Sequence, residues 1–366
     1  MKYYIIAGEA SGDLHGSNLI KELIKKDAAV TFRGWGGDKM ESAGTLIVKH
    51  YKDLAFMGFA EVIKNLPTIF SNLAFCKKDI LAYKPDVLIL VDYPGFNLRI
   101  AKWAKQQKIK VVYYISPQIW AWKENRVHAI KRDVDKMLVI LPFEKEFYKK
   151  YDVEVTYVGH PLAEVISNYI EANPDVQKEK IIAVLPGSRK QEILVKLPIM
   201  LQVANNFPDY KFVVAKAPGV ENSFYEQLLL PFKNVSSVAD ETYTLLSKST
   251  AAMVTSGTAT LETALFKVPQ IICYKGSKIS YEIAKRLIKI KYIGLVNLIM
   301  NKEVVKELIQ NDLNVKNLVN ELNLLLNDEN KVKTIKNDYD HLFNMLQGSG
   351  NASANAAHEI YKMLAS

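Results

Sequence analysis

The stretch AAMVTSGTATLE, residues 251–262, joins a run of apolar residues to a run with helical spacing. Residues 251–254 are apolar and of strand length, whereas Leu261 and Ala264 recur at the spacing of one helix face. Small residues fill the turn, and one carboxylate, that of Glu262, lies just inside the helix. We interpret this unit as a strand, a turn and a helix whose turn cradles a nucleotide, because a helix start without bulky side chains leaves backbone N–H groups free.

The same alternation of short β-branched runs with amphipathic segments continues along the chain and predicts parallel sheets covered by helices. The polar segment 168–180, which contains Pro174, is the predicted linker between two series of strands. The strand candidates are residues 3–7, 30–34, 87–92, 110–115, 136–141 and 155–158 in the first series, and 181–185, 211–215, 251–254 and 270–274 in the second. The predicted fold class is therefore α/β, with two doubly wound, Rossmann-like domains that bind ligands beyond the carboxyl ends of their strands.

The predicted boundaries are residues 1–165 for the amino-terminal domain and 178–345 for the carboxy-terminal domain, with a terminal helix over 346–366. A chain of 366 residues is long enough for two such cores. Its two cysteines are too few for a disulfide framework and fit a reducing compartment. Apolar runs are strand-sized, well short of the roughly 20 residues of a spanning helix. The apolar start of the chain is interpreted as a first strand rather than a signal peptide, and a cytoplasmic location is expected.

The formal net charge of +9 admits several partners. Nucleic acid, an anionic membrane surface and a phosphorylated substrate each fit it, and so does a lysine-rich solvated surface without any partner. Nucleic acid is the weakest of these hypotheses, because no helix shows a concentrated basic stripe with interleaved aromatic residues. The six histidines lack the paired spacing of a zinc site, so neither a metal nor a cofactor is expected.

In the first half, polar residues follow the strand candidates. Glu9 lies in the glycine-rich turn GEASGDLHG at 8–16, although Ser11 or Asp13 could simply cap the next helix. Asp92 follows a buried strand, where partial desolvation would raise its pKa towards a useful value for a general base. The alternative is that Asp92 caps the following helix, a task for which Asn97 is better placed. The loop SPQIWAW at 116–122 either plugs two layers with tryptophan or lines a pocket.

In the second half, two turns suit a diphosphate. Gly187 and Ser188 leave N–H groups free, and Arg189 adds a guanidinium that can clamp an oxyanion. The turn Ser256, Gly257 and Thr258 offers another helix start, and Glu262 is placed to accept hydrogen bonds from ribose hydroxyls. A structural ion pair is the alternative role for Glu262.

Taken together, these motifs resemble the lipid-A-disaccharide synthases, which are inverting glycosyltransferases of the GT-B type with a cleft between two domains. The resemblance runs from the first strand to the last helices. The matching motifs are GEASGD at 8–13, MG at 57–58, DYPGFN at 92–97, SPQIWAW at 116–122, LPFE at 141–144, VGHP at 158–161, LPGSR at 185–189, SGTATLE at 256–262 and NL at 297–298.

The resemblance implies transfer of 2,3-diacylglucosamine from UDP to the 6-hydroxyl of 2,3-diacylglucosamine 1-phosphate, without a cofactor. It makes Asp92 the favoured base, assisted by Glu9. The residues implied for the acceptor are Ser11, Gly12, Asp13, Ser116, Gln118 and Trp120. The residues implied for UDP are Gly187, Ser188, Arg189, Ser256, Gly257, Thr258, Glu262 and Asn297. Two positions depart from the family pattern: Gly95 stands where many relatives carry a second acid, and Val296 replaces a common proline.

Two rival functions stay open at this point. One is another UDP-sugar enzyme of the same fold, such as a peptidoglycan glycosyltransferase or a UDP-N-acetylglucosamine epimerase, which would share the nucleotide half only. The other is a non-catalytic protein that binds a membrane surface. The terminal helix, which in the resembled family can cross to a partner subunit, makes a homodimer a further expectation.

One apolar stripe bears on membrane contact. Its residues fall on one face of a helix, interrupted by Pro67, and are Phe59, Val62, Ile63, Leu66, Ile69 and Phe70. Such stripes usually belong to a core, but acylated substrates favour equally an exposed patch that docks on a bilayer. The expected location is then the cytoplasmic face of the inner membrane, with peripheral contact.

Overall fold

The computed structural model describes residues 1–54, 66–277, 281, 291–348 and 350–365. The chain forms two compact units, one of Met1–Pro161 with Leu346–Ser366 and one of Leu162–Met345. Each unit is built on one parallel sheet, as the alternation of strands and helices predicts. The fold class expected from sequence, two doubly wound α/β units, is confirmed.

Among the described residues, seven parallel strands form the sheet of the first unit, in the order β3-β2-β1-β4-β5-β6-β7. The strands are β1 Lys2–Ala7, β2 Thr31–Gly36, β3 Thr45–His50, β4 Val87–Val91, β5 Lys110–Tyr114, β6 Lys136–Val139 and β7 Thr156–Tyr157. β1 pairs with β2 on one side and with β4 on the other. The chain therefore adds β2 and β3 on one side of β1 and then β4 to β7 on the other.

Both faces of this sheet are buried, which explains the continuous apolar runs of its central strands. Along β1, Tyr4 and Ile6 belong to one hydrophobic core, whereas Tyr3, Ile5 and Ala7 belong to another. The side chains of a strand point alternately to the two faces, so one short run serves both cores.

Helices cover both faces of the first sheet. They are α1 Ala10–Lys26, α2 Asp38–Ser42, α3 Leu66–Tyr83, α4 Pro94–Gln106, α5 Ile119–Trp122, α6 Val127–Asp133, α7 Glu144–Lys149 and, from the end of the chain, α16 Ala352–Ala365. The last helix packs on α1, where Ala356, Ala357 and Ile360 join the core of Leu19 and Ile20. The terminal helix is thus part of the first unit in the same chain.

The second unit repeats this plan, with the strand order β10-β9-β8-β11-β12-β13 among the described residues. Its strands are β8 Ile181–Leu185, β9 Lys211–Lys216, β10 Val235–Ala239, β11 Ala251–Thr255, β12 Gln270–Tyr274 and β13 Glu307–Ile309. Its helices are α8 Pro161–Ala172, α9 Lys190–Gln202, α10 Asn222–Leu229, α11 Thr242–Lys248, α12 Thr258–Leu265, α13 Leu295–Met300, α14 Val315–Asn327 and α15 Glu329–Gln347. The predicted linker at 168–180 therefore begins inside α8.

All ten strands predicted from sequence are present, and three others were missed: β3, β10 and β13. Each missed strand lies at an edge of its sheet. An edge strand is paired on one side only and is partly exposed, as Leu46 of β3 and the two serines of β10 are. Such a strand needs no continuous apolar run, so its sequence carries a weaker signal.

The apolar stripe falls partly outside the described residues, which do not include Phe59, Val62 and Ile63. α3 begins at Leu66, with Pro67 in its first turn, a position that tolerates proline. Ile69 packs against the core, whereas Phe70 on the same helix is 64% exposed. Among the described residues, no helix is long and apolar enough to cross a membrane.

Gly34→Ala is expected to lower the free energy of unfolding by at least about 4 kcal/mol, because a side chain there collides with the central strand. A Cβ at Gly34 would lie 1.9 Å from the carbonyl oxygen of Ile5, its partner in the β1–β2 pair. Urea unfolding measures the change. As a control, Gly95→Ala meets no atom within 4 Å and should change stability by less than about 1 kcal/mol. Equal effects of the two substitutions would contradict the packing described.

Candidate active site

In the first unit, two candidate carboxylates follow neighbouring strands. Glu9 comes after β1 and Asp92 directly after β4, and these strands are paired in parallel. β1 is also where the strand order reverses, the place at which open α/β sheets bind ligands. Ala7 of β1 pairs with Val91 of β4, so the two carboxylates follow adjacent strand ends, and the charge of Glu9 helps to raise the pKa of Asp92.

The backbone of Asp92 is held in an uncommon conformation. Asp92 and Tyr93 both adopt left-handed φ angles, 45° and 49°. The Asp92 amide donates to the carbonyl of Tyr114 at 3.1 Å. Its own carbonyl accepts hydrogen bonds from Asn97 Nδ2 at 2.8 Å and from the hydroxyl of Tyr113 at 2.5 Å. Backbone strain of this kind persists where the surroundings enforce it, and it is common at functional sites.

Gly8 makes room for this arrangement. A Cβ at Gly8 would lie 2.4 Å from ring atoms of Tyr93, so only glycine fits beneath the aromatic ring. The ring of Tyr93 in turn stacks on Phe96 with the centroids 5.7 Å apart. The turn after β1 and the turn after β4 are therefore packed directly on each other, and the first glycine of the motif is required by close approach.

Burial is the main cause of the altered acidity of Asp92. It raises the pKa of the carboxyl from 3.8 to about 6, with the charge of Glu9 adding to the effect and the Tyr93 amide opposing it. A group with this pKa is ionised at neutral pH yet remains a much stronger base than an ordinary aspartate. The helix-capping alternative for Asp92 is not observed, because Tyr93 is the N-cap of α4 and makes no side-chain cap.

Asp13 has a structural task. Its buried carboxylate accepts hydrogen bonds from the amides of Gly37, Lys39 and Met40, at 2.7, 3.1 and 3.1 Å. Those amides belong to the start of α2, so Asp13 caps a neighbouring helix rather than its own. Next to it, Ser11 is exposed and Gly12 is buried, and a Cβ at Gly12 would lie 3.2 Å from the Cβ of Ala7.

The loop after β5 carries Ser116, Gln118 and Trp120. Ser116 is buried, with its hydroxyl 2.8 Å from that of Tyr148, and Gln118 is exposed. Trp120 packs edge-on against Phe143, with the ring centroids 5.0 Å apart. Trp120 therefore packs against the core of the first unit, as in the plug interpretation, and Gln118 is exposed beside it.

Beneath this loop lies Glu144, to which the sequence analysis assigned no role. Its buried carboxylate accepts from the amides of Leu141 at 2.9 Å and Ile140 at 3.2 Å. Burial raises the pKa of Glu144 to about 7, opposed by those amides and by Ser116 and Trp120. Glu144 therefore joins the turn after β6 to the loop after β5. The motif LPFE contains it, but nothing in the letters distinguishes it from an exposed glutamate.

In the second unit, the two predicted diphosphate turns also follow neighbouring strands. Gly187 comes after β8 and the Ser256–Thr258 turn after β11, which are paired at the point where the strand order reverses. Gly187 has a φ of +114°, which favours glycine. Ser188 and Arg189 are exposed, as are Gly257 and Thr258, and Gly257 is the N-cap of α12. The hydroxyl of Ser256 is engaged, since it donates to the carbonyl of Ile293 at 2.7 Å.

Glu262 lies on the first turns of α12, facing α11. Its carboxylate accepts a long hydrogen bond, 3.4 Å, from the hydroxyl of Tyr243, and burial raises its pKa. Within the described residues it makes no salt bridge, so the ion-pair alternative finds no support there. Its carboxylate keeps most of its capacity to accept hydrogen bonds.

Asn297 is fully engaged inside the fold. Its side-chain oxygen accepts from the amides of Val304 and Val305, and its nitrogen donates to the carbonyl of Val305 and to Glu307 Oε1. Glu307 also accepts from the amides of Ile293 and Gly294. Asn297 and Glu307 therefore hold the segment of Ile293, whose carbonyl accepts the hydrogen bond of Ser256. Glu307 lies on a short edge strand without any motif, which is why sequence reasoning missed it.

Comparison with known proteins identifies the family of this chain. The family model described as lipid-A-disaccharide synthetase matches residues 3–361. The chain is 37% identical over 371 residues to a lipid-A-disaccharide synthase of Geobacter metallireducens, covering 98% of this chain and 96% of that one. It is 36% identical to a lipid-A-disaccharide synthase of Coxiella burnetii, covering 98% of each.

Solved structures with low sequence identity show the same fold. A UDP-GlcNAc 2-epimerase from Neisseria meningitidis, bound to UDP-GlcNAc, has a TM-score of 0.68 at 14% identity, over 99% of this chain and 100% of that one. The glycotransferase of kitacinnamycin has a TM-score of 0.68 at 13% identity, over 99% of each chain. At these identities the likeness concerns the fold alone.

Asp92→Asn is expected to raise the free energy of unfolding by up to about 3 kcal/mol at pH 8. The folded-state pKa of Asp92 lies above its ordinary value of 3.8, at about 6, so the fold disfavours the ionised form. This cost is complete well above pH 6 and disappears as the pH falls below 3.8, because the carboxyl then becomes protonated in both states. Urea unfolding at pH 8 and pH 4 measures it, with the exposed Asp209→Asn as control. A gain in the free energy of unfolding that is the same at both pH values would contradict the raised pKa of Asp92.

Proposed function

This chain belongs to the lipid-A-disaccharide synthetase family, and we propose that it carries out the family's reaction with Asp92 as general base and the turns after β8 and β11 as the UDP site. The reaction moves 2,3-diacylglucosamine from its UDP conjugate to the 6-hydroxyl of 2,3-diacylglucosamine 1-phosphate. The products are the β-1,6-linked disaccharide phosphate and UDP. The enzyme is therefore a hexosyltransferase of lipid A biosynthesis.

The single observation that carries the role of Asp92 is its buried carboxyl with a pKa of about 6 at the reversal point of the first sheet. In an inverting displacement, a base removes the proton of the attacking hydroxyl while the anomeric carbon gains oxocarbenium character. Asp92 is ionised at neutral pH and can therefore accept the proton of that hydroxyl. Its raised pKa makes it a stronger base than an ordinary aspartate. Glu9 supports this basicity through its charge. The residues proposed to surround the acceptor are Ser11, Gly12, Ser116, Gln118 and Trp120. Asp13 contributes indirectly, because it caps the start of α2.

On the donor side, the departing UDP gathers negative charge on its diphosphate. The guanidinium of Arg189, whose side chain is 74% exposed, can reach it, although it also lies 3.7 Å from Glu192 Oε1. The exposed turns at Gly187 and Gly257 present backbone N–H groups at the starts of α9 and α12. Glu262 retains acceptor capacity for the ribose hydroxyls. Asn297 contributes indirectly, because it shapes the segment that anchors Ser256.

The rival functions are disfavoured. The epimerases that share the fold have 14% identity or less among the structures compared, whereas family relatives named for lipid A disaccharide synthesis reach 37% over nearly the whole chain. A non-catalytic membrane binder would not need the strained, buried Asp92.

For partners, we propose peripheral contact with the cytoplasmic face of the inner membrane and a second copy of the chain. On α3, Phe70, Ala74 and Lys78 are exposed and spaced four residues apart, so they form one face with an apolar and a basic part. The α1 surface that receives α16 is the surface that a swapped helix of a second copy would occupy. Sedimentation velocity, which distinguishes a monomer from a dimer, tests for the second copy.

Asp92→Asn is expected to lower turnover by at least about a hundredfold while the affinity for UDP stays within about twofold of wild type. An assay with the diacylated donor and acceptor, monitoring UDP and disaccharide, measures turnover.

In the wild type, kcat/KM should fall below about pH 6, where Asp92 takes up a proton. Glu9→Gln should move that midpoint to lower pH, because the Glu9 charge raises the pKa of Asp92. Near-normal turnover of Asp92→Asn would remove Asp92 as the base.

Phe70→Ser is expected to reduce the fraction of protein bound to anionic phospholipid vesicles by about fivefold or more, since it removes a large apolar side chain from the proposed membrane face. Vesicle sedimentation measures binding, and thermal unfolding verifies that the variant is folded. Leu230→Ser is the matched control, because Leu230 is 86% exposed but lies in the other unit. Equal vesicle binding by the wild type and Phe70→Ser would exclude this face.

A further inference from the structure

Lys196 is a buried cation at the carboxyl edge of the second sheet. It lies in the second turn of α9, and its side chain is only 3% exposed. A Cβ at Gly187 would lie 3.6 Å from Lys196 Nζ and 3.6 Å from Thr255 Cγ2. The ammonium group is therefore directly beneath the turn after β8, beside the end of β11. Burying an ammonium is costly, and burial does lower the pKa of Lys196.

The cation shares its counter-ion with Arg189. Glu192 Oε2 is 3.5 Å from Lys196 Nζ, and Glu192 Oε1 is 3.7 Å from Arg189 Nη1. One carboxylate thus lies between a buried ammonium and an exposed guanidinium. These two cations and one carboxylate leave a net positive charge at the turn. Both nitrogen–oxygen distances are longer than that of a charged hydrogen bond.

A second observation is an unpaired polar group at the end of β11. Thr255, the last residue of β11, is more than nine-tenths buried, and its Oγ1 makes no hydrogen bond among the described residues. Buried hydroxyls are normally paired, so an unpaired one beside an incompletely balanced cation calls for an explanation. An oxyanion bound at the Gly187 turn supplies the missing negative charge.

We propose that Lys196 is a second cation for the donor diphosphate, acting from beneath the Gly187 turn, and that Glu192 is the counter-ion which the two cations share while the site is empty. This inference rests on the proposed UDP site. When the diphosphate binds, it replaces Glu192 as the principal partner of Arg189. The ammonium of Lys196 attracts the diphosphate, and this attraction is strong because the buried surroundings have a low dielectric constant. Glu192 therefore opposes donor binding, whereas Lys196 promotes it.

The two residues should consequently act in opposite directions on UDP affinity. Lys196→Met, which keeps the volume of the side chain but removes its charge, should raise the Kd for UDP about tenfold. Glu192→Gln removes a competing negative charge and should lower the Kd about threefold or more. In Glu192→Gln/Lys196→Met, the gain should disappear. Isothermal titration with UDP measures all three variants. Lys331→Met is the control, since it removes the charge of another ion-paired lysine, 2.9 Å from Glu321 and away from the proposed site.

A purely structural ion pair gives a different pattern. In that case both single substitutions weaken UDP binding or leave it unchanged, and either result overturns the proposal. If Lys196→Met fails to fold by thermal unfolding, Glu192→Gln decides alone: tighter UDP binding supports the proposal, and unchanged or weaker binding overturns it.

Arg189→Met separates this inference from the proposed donor site. If Arg189→Met binds UDP like the wild type, the donor site itself is misplaced and the role of Lys196 fails with it. If Arg189→Met loses affinity but Lys196→Met does not, the donor site stands and only the role of Lys196 fails. Loss of affinity in both variants, with a gain in Glu192→Gln, is the result expected.

Discussion

In each unit, one strand inside the sheet has parallel neighbours that lead the chain in opposite directions. β1 lies between β2 and β4, and β8 lies between β9 and β11. Parallel pairing places the carboxyl ends of these strands at one edge, and the helices that follow diverge to opposite faces. The turns at that edge are close to each other and not covered by the sheet itself. The candidate side chains of both units, Glu9 and Asp92 in one and Arg189 and the Ser256 turn in the other, owe their positions to this constraint.

The chemistry of Asp92 follows from packing at that edge. Gly8 allows the ring of Tyr93 to lie against the first turn, and Asn97 and Tyr113 hold the Asp92 carbonyl. These contacts keep two consecutive residues in a left-handed conformation and remove the carboxyl from water. A raised pKa and a strained backbone both lower stability, and the large buried cores on the two faces of the sheet offset that loss.

Carboxylates of the same type have quite different tasks in this protein. Glu9 is exposed and acts through its charge, whereas Asp13 is buried and caps α2. Glu144 joins the turn after β6 to the loop after β5, and Glu307 arranges the segment that anchors Ser256. Glu192 lies between two cations. The number of amide and cationic neighbours within reach decides each task, and that number depends on contacts between segments far apart in the chain.

The sequence by itself determined the fold class, the central strands and the edge at which the candidate residues lie, because apolar runs, small-residue turns and helical spacing are local signals. It did not reveal the edge strands β3, β10 and β13, whose exposed side weakens the apolar pattern. Nor did it distinguish Asp13 and Asn297, whose side chains accept several backbone hydrogen bonds, from Asp92, whose buried carboxyl has its pKa raised to about 6. Only the tertiary structure decided this, and only it placed Lys196 beneath a turn nine residues earlier in the chain, since hydrogen-bond satisfaction and burial depend on which segments meet in space.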